Sequence, residues 1–277
     1  MATLFNLSSL KMLTLPLAIA AVTIFSGCAT TASPEARLTY DKTQQNLKSQ
    51  SVSVISDGCV LLVEIGNDNI MYKQSDAVSV AIANTLKDKL NEKDLTVSNV
   101  SSPFICGAMT QKELAEMDIV MTEGAKDVLN TNYPILSANN TFDAVTNQAY
   151  LNLYTALVNV KKEYANSQKT GSNTALNLDA VSLNTIRQTE GTNKVFVVFA
   201  AANKQSFGLR LAAASTSPLA GALMNRAPGQ DYAIHLVNLA TKQVEWTKFG
   251  KIESEVFKKP VTGTIVTKKI LDPLYPE

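Results

Sequence analysis

The sequence predicts an α/β fold, a mixed-sheet α/β sandwich carrying a helical insertion. Three observations point there. Cys59-Val60-Leu61-Leu62-Val63-Glu64-Ile65 is a nearly continuous apolar run between Asp57-Gly58 and Gly66-Asn67, the pattern of a buried strand. Val78, Ala81, Ile82, Leu86 and Leu90 then recur at three- and four-residue spacing, which gives a helix one apolar face. Later, Val195–Ala201 is the most apolar run after the first 28 residues, and two apolar runs joined by a short polar link follow it. A chain of 277 residues is long enough to build a sizeable core from these parts.

Taken in order, residues 29–50 are polar and read as a flexible tether that admits a short helix near Tyr40–Lys48. The Cys59–Ile65 strand comes next. A helix from about Asp76 to Glu92 follows, capped by Ser75 or Asp76. Leu95–Val100 is a second strand, and the strand-helix-strand unit should be parallel and right-handed. Thr110 caps a helix over Gln111–Leu129, and Asn130–Asn147, with Pro134, reads as loop. Tyr150, Leu153, Leu157, Val158 and Val160 place a helix over Ala144–Tyr164. After a loop to Asn177, Asp179 caps a short helix through Gln188, with Gly191 just past its end. The segment 108–190 is therefore a solvated helical insertion. Val195–Ala201 is a central strand. Lys204–Gly229 is Ala-rich, with Ser217-Pro218 suited to start a helix. Tyr232–Leu239 and Val244–Phe249 form an antiparallel hairpin, and Val261–Leu271 a last helix stopped by Pro273. A single α/β domain thus covers 51–277.

The first 28 residues read as an address. Met12–Phe25 is apolar, yet it is too short for about 30 Å of hydrocarbon, which needs roughly 20 residues. It ends in Phe25-Ser26-Gly27-Cys28-Ala29, which resembles the lipobox of bacterial lipoproteins. The resemblance implies a signal peptide over 1–27, a diacylglycerol thioether and an N-acyl chain on Cys28, and a lipidated N-terminus leading into the tether over 28–50. Each buried acyl methylene contributes about 0.8 kcal/mol, so two or three chains anchor stably. Phe25 departs from the pattern, which usually has Leu there; an ordinary secretory signal is the alternative. No Asp follows Cys28, and for lipoproteins this implies the outer membrane.

With Cys28 lipidated, Cys59 and Cys106 remain. An even number of cysteines in an oxidising compartment suggests a disulfide, with two buried free thiols as the alternative. A bridge closing about 48 residues would stabilise by roughly 4 kcal/mol in the chain-entropy model. The loop around Pro103 would have to fold back for the sulfurs to meet.

Val78–Leu95 reads VSVAIANTLKDKLNEKDL, similar to the first helix of TolB N-terminal-like domains. His235–Ile252 reads HLVNLATKQVEWTKFGKI, similar to the hairpin of lipoproteins that carry that domain, the curli-secretion lipoprotein among them. Asn238 and Lys242-Gln243 stand where that group often has Asp and Gly-Glu. The resemblance covers about 100 of 277 residues. It implies an envelope domain that binds or assembles with other proteins without catalysis.

Composition excludes several alternatives. Lys and Arg total 25 and Asp and Glu 24; removing Lys11, the one charge before Cys28, leaves 24 against 24. A neutral body argues against nucleic acid, which needs a basic face. One histidine excludes multi-histidine metal sites, and no Walker loop or dinucleotide fingerprint occurs. His235 is either a catalytic base or a sheet-face residue, and no nucleophile elbow accompanies it. Trp246 is either an interface anchor or a core residue. Glu113, Glu116, Asp118 and Glu123 suggest a cation site or a solvated helix face. Lys258-Lys259 and Lys268-Lys269 make a mildly basic C-terminal end, of a charge that suits anionic headgroups. Phe207, Leu209 and Leu211 alternate within Lys204–Gly229, as a partner-binding segment or plain insertion would; a membrane hairpin needs two stretches of about 10 residues and one short one is present.

These readings combine into an expectation. The chain is an outer-membrane lipoprotein with its domain in the periplasm, held to lipid through Cys28. It binds envelope proteins, with no cofactor beyond the covalent lipid, no metal and no catalysis. Partner contacts are expected at Phe207, Leu209, Leu211 and Trp246. The alternatives are a homo-oligomeric subunit of an export or secretion assembly, and an envelope hydrolase.

Overall fold

The computed structural model describes residues 33–64, 68–109, 111–120, 142–160, 173–205, 229–257, 261, 263–265 and 267–276. In chain order the elements are α1 (Pro34–Leu47), β1 (Val52–Val63), β2 (Asp68–Met71), α2 (Tyr72–Asn91), β3 (Val97–Ser101), α3 (Gln111–Ala115), β4 (Asp118–Val120), α4 (Ala144–Val160), β5 (Thr174–Ala175), α5 (Ala180–Glu190), β6 (Lys194–Gln205), β7 (Gly229–Asn238) and β8 (Gln243–Lys251). They form an α/β fold around one mixed eight-stranded sheet, ordered β4-β2-β1-β6-β7-β8-β5 with β3 also on β1.

β1 organises the sheet. Its whole length pairs parallel with β6, from Val52 opposite Lys194 to Val63 opposite Gln205. Its other edge is shared. Val52–Ile55 pairs parallel with β3, and Leu61–Val63 pairs antiparallel with β2. The parallel β1–β3 pair is as the sequence predicted, but β2 stands between β1 and α2.

Alternation sends the two sides of each strand to different cores. Val52, Val54, Val60 and Leu62 of β1, Phe196 and Val198 of β6, Ile234 and Leu236 of β7 and Trp246 of β8 pack with α1, α2 and the C-terminal segment. Ile55, Val195, Val197, Val237 and Val244 pack with α4 and α5 on the opposite face. A third, smaller cluster joins Ile70, Ile105, Cys106, Leu114 and Ile119.

Several expectations need correction. The region read as a flexible tether is helix from Pro34 to Leu47. Ser33 caps it through Ala36 N at 3.2 Å, and Ala36, Tyr40 and Leu47 are buried in the core. Its apolar residues are few, so composition hid an element that tertiary packing holds. β1 starts seven residues earlier than the Cys59–Ile65 reading, because Asp57-Gly58 is strand and not a turn. α2 begins at Tyr72 without a side-chain cap; Ser75 is buried, and its hydroxyl instead accepts from Val60 N at 2.9 Å. The Gln111–Leu129 helix stops at Ala115, and Asp118–Val120 is a strand parallel to β2; the remainder, 121–129, lies outside the described residues. The insertion over 108–190 thus contributes two short strands to the sheet as well as helices. No helix forms among the described residues of Val261–Leu271, which are bends and turns; Ile265, Ile270 and Leu271 nevertheless sit in the core. α5 is as read: Asp179 accepts from Ser182 N at 2.8 Å, and Gly191 turns left-handed at φ 67°.

Candidate functional site

Among the described residues, buried polar groups gather where β1, the chain after β3 and α4 meet. Asp57 and Cys59 are two apart on β1, so both project from the side opposite α2. Beyond Ser101 the chain turns back along β1: Gly58 bridges Ile105, and Cys106 N donates to Gly58 O at 3.1 Å. This is the fold-back that a disulfide requires. The Cys59 and Cys106 sulfurs lie 2.11 Å apart, at disulfide distance.

Cys106 has a left-handed backbone, φ 54°, which few non-glycine residues adopt. It aims the next two amides inward. Gly107 N donates to Asp57 Oδ1 and Ala108 N to Asp57 Oδ2, both at 3.0 Å. The Asp57 side chain is buried, and burial pushes its carboxyl up to about 7 from an ordinary 3.8; the two amides pull it back only in part.

Tyr154 of α4 covers this corner. Its ring meets Phe104 edge-on at 5.7 Å and Phe199 at 5.0 Å. Burial, then the Asp57 charge, holds its hydroxyl protonated well above the ordinary range. One turn earlier, the Tyr150 hydroxyl donates to buried Glu190, which also accepts from Ser101 Oγ at 2.8 Å and Asn99 Nδ2 at 3.0 Å. Two buried carboxylates therefore fasten the β3 edge and the Cys106 loop to the rest of the domain.

His235 lies on the same face of β7 and is buried. Its Nδ1 is 2.9 Å from Thr247 Oγ1, and Phe199 and Phe249 flank it edge-on. Burial lowers it to about 4, so the ring is neutral near pH 7. Its hydrogen-bond partner is a hydroxyl rather than the carboxylate that a triad uses.

Trp246 is 3% exposed and meets Phe196 edge-on at 6.3 Å. It is a core residue, and its reading as a partner contact is corrected. Cys28, Phe207, Leu209 and Leu211 lie outside the described residues. The acidic cluster does not share one helix: Glu113 is on α3 and Asp118 opens β4, while Glu123 is outside the described residues. No group of three His, Cys, Asp or Glu residues able to hold a metal occurs among the described residues. Lys268 pairs with Glu253 at 3.2 Å. A shallow groove of about 480 Å³ between α4 and the approach to α5 is lined by Asn152, Thr155, Asn159 and Asp179. Asn152 and Asp179 are already engaged by Ser182 there.

Sequence reasoning missed Asp57, the Gly107 and Ala108 amides, Tyr154 and Glu190. One signal was available: a charged residue inside what is otherwise a strand of small and apolar residues, Val52–Val63. No known protein family, curated protein or solved structure matches the chain.

Proposed function

We propose that this chain is a periplasm-facing outer-membrane lipoprotein whose α/β domain is a non-catalytic binding or assembly component of the cell envelope. The observation that carries the reading is cysteine arithmetic. The chain has three cysteines, and pairing Cys59 with Cys106 leaves over the one that follows Phe25-Ser26-Gly27. A disulfide suits an oxidising compartment, and an odd cysteine there calls for a modification. Thioether lipidation of Cys28 answers that need. The TolB N-terminal-like assignment rests on the residues of α2 and of the β7–β8 hairpin, and a mixed sheet with helices on both faces supports it. Function follows from tethering: a lipid confines the domain to a surface and raises its effective concentration near membrane partners.

Labelled palmitate tests this in wild type and Cys28→Ala, with membrane fractionation alongside. The expected result is label in wild type, lost in the variant, and recovery with the outer membrane. Unlabelled wild-type protein would remove the anchor and the tethering mechanism with it. Particle size after detergent extraction separates the two binding roles: a ring-sized particle supports an export or secretion subunit, and a monomer supports the simpler binding component.

A further inference from the structure

We infer that Cys59–Cys106 is an exchangeable disulfide, opened by a dithiol partner at Cys59, with the Asp57 carboxyl supplying the proton to the departing Cys106 sulfur. The inference goes beyond the envelope-binding reading and does not depend on the lipid.

The two cysteines differ in access. Cys59 is a partly exposed residue whose sulfur lies 3.6 Å from Met109 Sδ, whereas Cys106 is fully buried, so the open side for an incoming thiolate is that of Cys59. The sulfur that departs is then the buried one, and a thiolate released away from water needs a proton or a compensating charge. An acid on β1 is held against the same loop. Asp57 holds the amides of Gly107 and Ala108, the two residues that follow Cys106, and it shares a face of β1 with Cys59. Among the described residues this carboxyl has no cation partner, so its burial costs stability that the two amide bonds offset only in part.

The step balances as follows. A partner thiolate bonds to Cys59 Sγ as the Cys59–Cys106 bond breaks, and the electron pair passes to Cys106 Sγ. That sulfur takes the proton from Asp57, whose carboxylate stays on the two amides. The partner's second thiolate then attacks the mixed disulfide and releases Cys59. The partner dithiol leaves as a disulfide, and this chain has gained two electrons. Amide bonds to the ionised carboxylate are the stronger kind, so Asp57 keeps the loop in place once the covalent link is gone. The result is a redox-responsive domain that changes state once for each dithiol oxidised.

Other titratable groups on this side are Tyr154 and Tyr150 of α4, Glu190 of α5 and His235 of β7. Both tyrosines are pushed upward and His235 falls to about 4, while burial raises Asp57 to about 7.

The test follows reduction of the folded, full-length chain by dithiothreitol from about pH 6 to about pH 9, trapping free thiols by alkylation and mass. Rates are divided by the dithiothreitol thiolate concentration. The expected wild-type rate falls about tenfold for each pH unit above the Asp57 transition, and Asp57→Asn removes that dependence. A flat wild-type profile overturns the inference, even if the variant fails to fold. So does a bond that stays closed until circular dichroism reports unfolding. The same profile is expected in Cys28→Ala, so a failed lipid assay and a failed exchange assay are separate results.

Discussion

Gly58 shows how tightly a single residue can be specified. A Cβ built there lies 2.1 Å from Ser75 O and 2.7 Å from Ser79 N, so α2 backbone occupies the space of any side chain. Around it, Ser56 Oγ and Ser79 Oγ are 3.0 Å apart, and Ser79 Oγ is 2.5 Å from Ser102 Oγ. Small residues on both elements let the helix backbone approach the strand, and their hydroxyls satisfy one another. Gly58→Ala must therefore push α2 from the sheet, because backbone on one side and a paired strand on the other cannot yield. The expected cost is about 2–3 kcal/mol, the upper part of the overpacking range, read as a lower urea midpoint with an unchanged slope. A midpoint equal to wild type would show that the helix shifts freely. The same residue explains a misreading. Asp-Gly is a strong turn signal. Here Gly58 serves helix contact and Asp57 serves the Cys106 loop, two requirements that local sequence does not display.

At the scale of elements, α1 is the clearest departure from sequence reasoning. Its stretch is polar on average, which is why it reads as a tether. Yet Ala36, Tyr40 and Leu47 are buried at spacings of four and seven, a narrow stripe that only the finished core makes sense of. Leu47→Ala is expected to destabilise the domain by about 2–5 kcal/mol, measured by chemical unfolding followed through Trp246 fluorescence. A true tether would give no change, so a shift below the fitting error would return residues 34–47 to that description. The β7–β8 hairpin was legible because its signals are local. Asn238 Oδ1 accepts from Ala240 N and Thr241 N, and Lys242 closes the turn with φ 56°. The ion pair beside it was not legible. Lys194 and Glu245 meet at 2.5 Å with side chains only 4% and 9% exposed, brought together by a register shift after Leu236. The C-terminal stretch failed in the opposite way. Its helical spacing of apolar residues is real and they are buried, but turns deliver them to the core. Periodicity thus reported which residues are buried, while backbone form depended on what they met.

For the whole molecule, two buried groups on one face of the sheet act on stability in opposite directions. The folded Asp57 carboxyl titrates near 7 and the unfolded one near 3.8. Between those values the folded chain holds a proton that the unfolded chain has released, so raising the pH through this window lowers stability. His235 titrates near 4 when folded and near 6.5 when unfolded. Between those values the unfolded chain takes up a proton that the folded core excludes, so raising the pH raises stability. Asp143 and Asp179 are lowered from 3.8 and act beneath that pH, and the buried tyrosines act only in alkali. From pH 4 to 6.5 the two slopes offset, and wild type should be nearly flat there. Removing either group should expose the other. Asp57→Asn should make the unfolding free energy rise with pH by about 1.4 kcal/mol per unit, and His235→Gln should make it fall by a similar amount. Urea unfolding of the three proteins at pH steps across this range supplies the comparison. Parallel curves would mean that neither group titrates inside the fold. Curves that diverge with opposite signs would place a proton-binding carboxyl and a proton-excluding imidazole in the same layer, the first of them beside the disulfide. Such a domain would keep even stability as its surroundings acidify, while the protonation of its disulfide corner changes.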